Sequence, residues 1–296
     1  MRLVFIDNRA YVKDDRAHAY NGKGEYNFDG YFVLNDILKG SAAEGIKTDS
    51  STIYSEFKLI HEIVTSADLE AFTPVHINAD AKFDPVSATP RQIIAVGINY
   101  RDHAEEMNMQ VTDTPVIFTK FQSCIAGANS TINLPNDTVD YENELTVVIG
   151  QHCSKVSEHE SLDYVAGITV GEDLSERTLQ FAAGSHFSLG KSYPNFGPIG
   201  PELVTLDEVG SLDNLEIKTW LNGDLVQDSS TDQMVFKVGY LISYLSEVID
   251  LCPGDIIYTG SPAGVGFSKE PPVYLKSGDV LVSEIANITR QTLYFK

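Results

Sequence analysis

Asp140-Tyr141-Glu142-Asn143-Glu144-Leu145-Thr146-Val147-Val148-Ile149-Gly150 is the stretch on which the reading of this chain turns. Three carboxylates at alternate positions open it, and a β-branched apolar run closes it. Side chains on a strand alternate between faces, so a strand here points Asp140, Glu142 and Glu144 the same way. Neighbouring carboxylates on one face repel, and a cation between them relieves the repulsion. Taken by itself the stretch reads equally well as a solvated edge strand with its charges outward. An EF-hand loop does not fit, because the glycine of its turn position is missing.

Composition narrows the classes of function. The 296 residues, 43% hydrophobic, suffice for one large domain or one large and one small. A net charge of −21 argues against nucleic acid or an anionic membrane as partner. An anionic substrate then requires a local reversal of the field. No apolar stretch reaches the length of a membrane span. The opening MRLVFIDNRAYVKDD lacks the apolar region and cleavage site of a signal peptide. Cys124, Cys153 and Cys252 are far apart and odd in number, which reads as reduced thiols of a cytoplasmic protein and not as a disulfide frame or zinc site.

In chain order, LVFI-DNR-AYVK predicts a β-hairpin near the start. Residues 21–50 show little periodicity, and then Ile53, Phe57, Ile60 and Val64 fall on one face of a helix preceded by Asp49-Ser50-Ser51. A polar, proline-containing stretch from about Asp80 to Arg91 marks a boundary. Ile93 to Tyr100 reads as a buried strand, and Arg101 to Met107 as a helix with His103 and Glu106 on one face. A carboxylate there can fix the imidazole tautomer and raise its basicity, although a surface helix also brings such a pair together by chance. Tyr164 to Gly171 predicts a second buried strand. Asp173 follows it, either as an N-cap completed by Glu176 or as an acid aimed at a metal, with Arg177 and Gln180 on one helix face and Gly184 as the stop. Lys191 sits in a Gly- and Pro-rich loop, Asn222-Gly223 signals a hairpin, and Phe236 to Ile249 has a helical pattern. Pro253 to Gly266 reads as turn, strand and a glycine-rich loop able to offer amides and hydroxyls to a carboxylate.

The stretches NYRDHAEE, DYENELTVVIG, GEDLSERTLQ, GKSYPNFGPIGP and PGDIIYTGSPAGVG resemble, in order and spacing, the fumarylacetoacetate hydrolase family, in its acylpyruvase and fumarylpyruvate hydrolase-like branch. The resemblance runs from about residue 92 to the C-terminus. It implies a mixed, β-rich α+β fold: a β-sandwich roll over 86–296 with a small N-terminal accessory domain over 1–85. It further implies a homodimer and a divalent metal, Mg²⁺ or Mn²⁺, held by Glu142, Glu144 and Asp173. His103 and Glu106 match the family's water-activating dyad. Arg177, Gln180 and Lys191 match groups that stabilise a developing oxyanion, and Ser261, with Tyr100, falls to the substrate. Two departures bear on specificity: Glu176 replaces a small residue and adds an acid near the site, and Pro194 and Asn195 alter the loop after Lys191.

Three carboxylate oxygens leave positions of an octahedral ion for water and a chelating small anionic keto acid. Arg177 and Lys191 would tip such a pocket positive. The expected activity is metal-dependent hydrolysis of a C–C bond in a β-dicarbonyl, acylpyruvate-like acid through a metal-stabilised enolate. Decarboxylation of an oxaloacetate-type acid and isomerisation of 2-hydroxyhepta-2,4-diene-1,7-dioate are the enzymatic alternatives, and a binding protein with a structural Ca²⁺ is the other. Residues 101–114, polar and short of core anchors, are expected to act as a lid.

Overall fold

The computed structural model describes residues 1–13, 30–78, 81–182, 184 and 186–296. The irregular stretch expected over 21–50 therefore lies partly outside the described residues, as does the Asp80 end of the expected boundary. Within the described part, Tyr31–Val33 is a strand and Leu34–Leu38 a short helix.

The apolar half of the opening stretch forms the strand Asn143–Ile149, all seven residues of which are buried. A strand covered on both faces reads as a near-continuous apolar run, which LTVVI is but for Thr146, whose hydroxyl donates to the Glu144 carbonyl at 3.4 Å. It pairs antiparallel with Val165–Glu172, Val147 opposite Ile168 and Glu144 opposite Gly171. On its other side it pairs with Ile256–Tyr258. Ile93–Gly97 and then Val116–Thr119 complete that flank of an 11-stranded mixed sheet. Beyond Val165–Glu172 come Glu202–Val204, Arg2–Ile6, Arg9–Lys13 and Tyr31–Val33. The predicted hairpin at the start is present, with Asp7 and Asn8 at positive φ in its two-residue turn.

A second sheet has five strands: Asp224–Ser230, Glu216–Leu221, Val280–Ile285, Thr289–Phe295 and Thr131–Ile132. Its long strands alternate buried and part-exposed residues, the mark of one face packed and one wet. Asn222 and Gly223, both at positive φ, close the predicted hairpin. Leu145, Val147 and Ile149 of the central strand share a core with Ile217 and Ile285 of this sheet and with Leu241, Ile242 and Leu245 of helix Val238–Ser246. The fold is thus the β-rich sandwich with few helices that was expected. Val148 belongs to the other core, together with Phe196 and Ile256 and with Leu3, Phe5, Ile53 and Ile60 of the first 85 residues. Arg2–Ile6 extends the main sheet by pairing with Glu202–Val204.

One expectation about the central stretch needs correcting. The strand does not run unbroken from Asp140. Val139–Asp140 is a separate two-residue strand paired with Ser175–Glu176, and the main strand starts at Asn143. The break at Tyr141 and Glu142 takes Asp140 off the face it would otherwise share with Glu144.

Candidate active site

The break is held by long-range backbone contacts, since the Asp173 amide donates to the Glu142 carbonyl at 2.9 Å. It brings Glu142, from the break, Glu144, from the strand, and Asp173, from the end of Val165–Glu172, to one place. Their carboxylate oxygens lie within 4.8 Å of one another, and all three residues are buried. Glu172, one residue before, faces the other way and meets Ser283 at 3.3 Å. Burial pushes the Glu144 carboxyl well up, and the neighbouring Asp173 and Glu142 add to that. Burial would raise Glu142 as well, but Arg177 and Lys191 outweigh it and hold that carboxyl far below the usual range. Three buried carboxylates with no sulfur or nitrogen donor form a hard, all-oxygen set that fits Mg²⁺ or Mn²⁺.

Asp140 serves a different purpose. Its carboxylate accepts Arg177 Nε at 2.9 Å and Nη2 at 2.6 Å, the Gly266 amide at 2.7 Å and the Phe267 amide at 3.0 Å. Thus anchored, Arg177 also donates to Glu142 Oε1 at 2.7 Å and to Gln180 Oε1 at 2.9 Å. Lys191 bridges Glu142 and Asp173, 2.6 Å from Asp173 Oδ2. Sequence reasoning missed Lys120. Wholly buried, it donates to Asp173 Oδ1 at 2.5 Å, the Lys191 carbonyl at 2.5 Å and the Phe196 carbonyl at 3.0 Å. Its one signal was a lysine set in the β-rich run VIFTKF.

Glu176 does not add its charge to the pocket. It precedes helix Arg177–Ala182 and accepts the Thr178 amide at 2.9 Å and the Leu179 amide at 2.8 Å, so it caps that helix itself. The capping box with Asp173 is therefore replaced by a single cap. The Gly184 amide meets the Phe181 carbonyl at φ +68°, the predicted stop.

His103 and Glu106 lie on helix Arg101–Glu106, with Nδ1 to Oε2 at 3.3 Å. The Glu106 carboxylate also accepts the Gly264 amide at 3.0 and 3.1 Å. Burial alone would raise Glu106. Hydrogen bonds from His103, Ser268 and that amide hold it below the ordinary range. With Nδ1–H directed to Glu106, Nε2 is the nitrogen left for a substrate. The helix is tied down at its first turn: Ser229 Oγ meets Asp102 Oδ2 at 2.5 Å, and Arg101 reaches the Asp232 and Met234 carbonyls at 3.3 Å.

The glycine-rich loop does offer its amides to carboxylates, as expected, but to the protein's own. Gly260 donates to Glu144 at 2.6 Å, Gly264 to Glu106, and Gly266 to Asp140. Gly264 has no substitute here, since its φ is +103° and a Cβ would lie 2.1 Å from the Val226 carbonyl oxygen. Ser261, in this loop, accepts Gln227 Nε2 at 3.0 Å. Gln227 was also missed. Through Oε1 it accepts the Asn143 amide at 3.2 Å, between Glu142 and Glu144.

His103, the three acids, Arg177, Gln180, Lys191 and Ser261 all line one cavity of about 110 Å³. Tyr100 is fully buried behind it and is not among the lining residues. The rest of the wall is apolar, including Met107, Met109, Phe118, Phe181 and Phe187.

A β-sandwich with three clustered buried carboxylates that could hold a divalent metal, a histidine–carboxylate pair and cationic side chains at one cavity is the architecture of a fumarylacetoacetate hydrolase-family enzyme. Residues 92–293 match the family described as Fumarylacetoacetate (FAA) hydrolase C-terminal, and the chain belongs to that family. It is 42% identical, over 74% of its length and 71% of the relative's, to the mitochondrial oxaloacetate tautomerase Fahd2a of Rattus norvegicus. A fumarylacetoacetate hydrolase from psychrophilic Exiguobacterium antarcticum superimposes with a TM-score of 0.81 at 29% identity, covering 100% of this chain and 99% of that one. The maleylpyruvate hydrolase of Sphingobium sp. SYK-6, solved with manganese(II) and pyruvate, gives a TM-score of 0.76 at 25% identity, covering 100% and 98%. Among the described residues no helix is long and apolar enough to cross a membrane.

Proposed function

We propose that this enzyme interconverts the enol and keto forms of a 2-oxo acid held at a divalent metal, a reaction of the kind named for the rat oxaloacetate tautomerase. The observation that carries the reading is the placement of His103, which lines the same cavity as the three carboxylates while its Nδ1 is committed to Glu106. A bound Mg²⁺ or Mn²⁺ would be held by Glu142, Glu144 and Asp173 and would supply Lewis-acid charge to the substrate head. His103 Nε2 takes the proton of the enol hydroxyl, and the Glu106 carboxylate supports the imidazolium that results. The carbon–carbon double-bond electrons form the new C–H bond with a proton returned by His103, and the oxygen keeps its pair as the carbonyl. Lys191, Arg177 and Gln180 hold the negative charge of the head group close to the acids that carry the metal.

Hydrolysis of an acylpyruvate is the second reading. It is favoured by the apolar part of the cavity wall, which suits an acyl tail, and by the likeness to the maleylpyruvate hydrolase. In that case His103 activates water instead of the enol. The experiment follows enol absorbance, pyruvate release and CO₂ release on enol-oxaloacetate and on an acylpyruvate, with and without chelator. Metal-dependent loss of the enol signal without pyruvate supports the tautomerase, pyruvate from the acylpyruvate supports the hydrolase, and CO₂ marks decarboxylation. No turnover of either compound refutes both. His103→Ala is expected to lower proton transfer by about a hundredfold or more while leaving Mn²⁺ binding in place.

A homodimer is proposed as well, supported by the open edge strand Val116–Thr119 with half-exposed Ile117 and Phe121 beside it. Light scattering tests it. The three free cysteines fit a reducing compartment, whether cytoplasm or, as in the rat relative's name, mitochondrion.

A further inference from the structure

We propose that the apolar part of the cavity takes an uncharged aromatic substituent, so that arylpyruvates are turned over in preference to 2-oxo dicarboxylates. The inference rests on the proton-transfer reading and specifies its substrate class.

Two observations lead to it. The first is an account of charge. A 2-oxo dicarboxylate brings a second carboxylate that must find a cation or donors away from the metal. Among the described residues, the lysine and arginine that line the cavity are Lys191 and Arg177. All three nitrogens of the Arg177 guanidinium are bound, Nε and Nη2 to Asp140 and Nη1 to Gln180, with Nη2 shared with Glu142. Lys191 is bound by Glu142 and Asp173. Whatever charge the metal releases from these pairs is claimed by the head-group carboxylate beside them.

The second observation is the shape of the remaining wall. Phe118 and Phe187 meet edge to face at 5.8 Å and 76°, and Phe181 meets Phe187 at 6.3 Å and 80°. Three rings in this arrangement leave faces and edges for a fourth, the geometry that aromatic pairs prefer. Met107 and Met109 border the same space with flexible, polarisable side chains that favour contact with a ring. Met109 and Phe181 remain 48% and 46% exposed, so the ring's way in is open. Lys191 Nζ stands 5.0 Å from the Phe118 ring centroid, so it is against Met109, Phe181 and Phe187 that a carboxylate would lack a partner, whereas a phenyl ring would bury apolar surface there. The chemical step is unchanged: the enol O–H breaks, the carbon bearing the ring gains the proton, and no co-reactant is consumed.

The test compares ketonisation of enol-phenylpyruvate and enol-oxaloacetate by the Mn²⁺-loaded enzyme. A kcat/KM ratio of about tenfold or more in favour of phenylpyruvate is expected. Phe181→Arg, on a half-exposed helix position, places a cation at the wall and should move that ratio towards oxaloacetate by about tenfold or more, with Mn²⁺ affinity by calorimetry unchanged. Phe187→Leu should lower the kcat/KM ratio of phenylpyruvate to oxaloacetate. Oxaloacetate preferred by the wild type, or a ratio unmoved in both variants, overturns the inference and leaves the proton-transfer reading standing. Turnover of neither compound overturns both.

Discussion

Asp140 and Glu144 sit four residues apart in one acidic stretch, and their removal should have opposite consequences. Asp140→Asn takes the charge from a buried carboxylate that accepts two bonds from Arg177 and two from the amides of Gly266 and Phe267. Breaking a buried ion pair by removing one partner costs about 3–5 kcal/mol, because the other charge is left uncompensated. Glu142 still accepts Arg177 at 2.7 Å, so the lower end of that range is the expected loss. Glu144→Gln removes one of three mutually repelling buried carboxylates, and the amide oxygen of the new side chain can still accept from Gly260. The metal-free protein should therefore lose no stability and gain some. Metal binding should follow the reverse order: nearly abolished in Glu144→Gln, and in Glu142→Ala and Asp173→Ala, but reduced far less in Asp140→Asn. Urea unfolding of the metal-free proteins and Mn²⁺ calorimetry on the same preparations read both quantities. An Asp140→Asn protein as stable as wild type yet unable to bind Mn²⁺ would make Asp140 a ligand and refute the anchor role. A Glu144→Gln protein that is strongly destabilised would refute the repulsion argument.

Other expectations can be checked with the same protein. Glu176→Ala should cost about 1 kcal/mol as a lost helix cap and leave Mn²⁺ binding intact. Burial would raise the Glu176 carboxyl, but Thr138, the Leu179 amide, Asn136 and the Thr178 amide hold it low. A lowered folded pKa means this stabilisation is full above the unfolded value of about 4.3 and fades as pH falls through the folded one, so urea melts in acid should bring variant and wild type together. Hydrogen exchange should divide the expected lid in two. Residues 110–114, all exposed, should exchange fast and slow down with pyruvate, whereas Arg101–Glu106, tied to Asp102–Ser229 and to the Asp232 and Met234 carbonyls, should be slow throughout. A fragment 86–296 loses the partner strand of Glu202–Val204 and uncovers the core shared with Leu3, Phe5 and Ile60, and should lack near-UV CD signal. A folded, Mn²⁺-binding fragment would instead support an independent accessory domain.

What was legible in the sequence is local in origin. The run Leu145 to Ile149 is apolar but for the β-branched Thr146, so it reads as a strand covered on both faces. His103 and Glu106 are three apart on a short helix, and Asn222-Gly223 allows little but a tight turn. The acids at 142 and 144 stood out by their alternate spacing, although Glu142 lies in the break before the strand Asn143–Ile149, and Asp173 stood out because it directly follows the strand Val165–Glu172. The parts that were hidden depend on partners far along the chain. Lys120 meets Asp173 across 53 positions, and Gln227 meets the Asn143 amide across 84. Nothing in the neighbours of either residue signals that meeting. Glu176 looked like an extra charge for the pocket because its composition is visible and its direction is not. Two amides at the start of the next helix turn it away.

Asp140 shows why pattern alone misjudged the face. Alternation is read along one continuous strand, and here the strand is interrupted at Tyr141 and Glu142, with Val139–Asp140 paired separately to Ser175–Glu176. That one pairing divides the acidic stretch by task. Glu142 and Glu144 converge on Asp173, where their repulsion can be relieved by a cation that comes and goes. Asp140 is given permanent countercharge by Arg177, which in turn leans on Glu142. With a carboxylate of its own, the arginine needs no metal ion to keep it in position. Separating the structural carboxylate from the ligating ones lets Arg177 keep its place at the cavity wall whether or not the metal is bound.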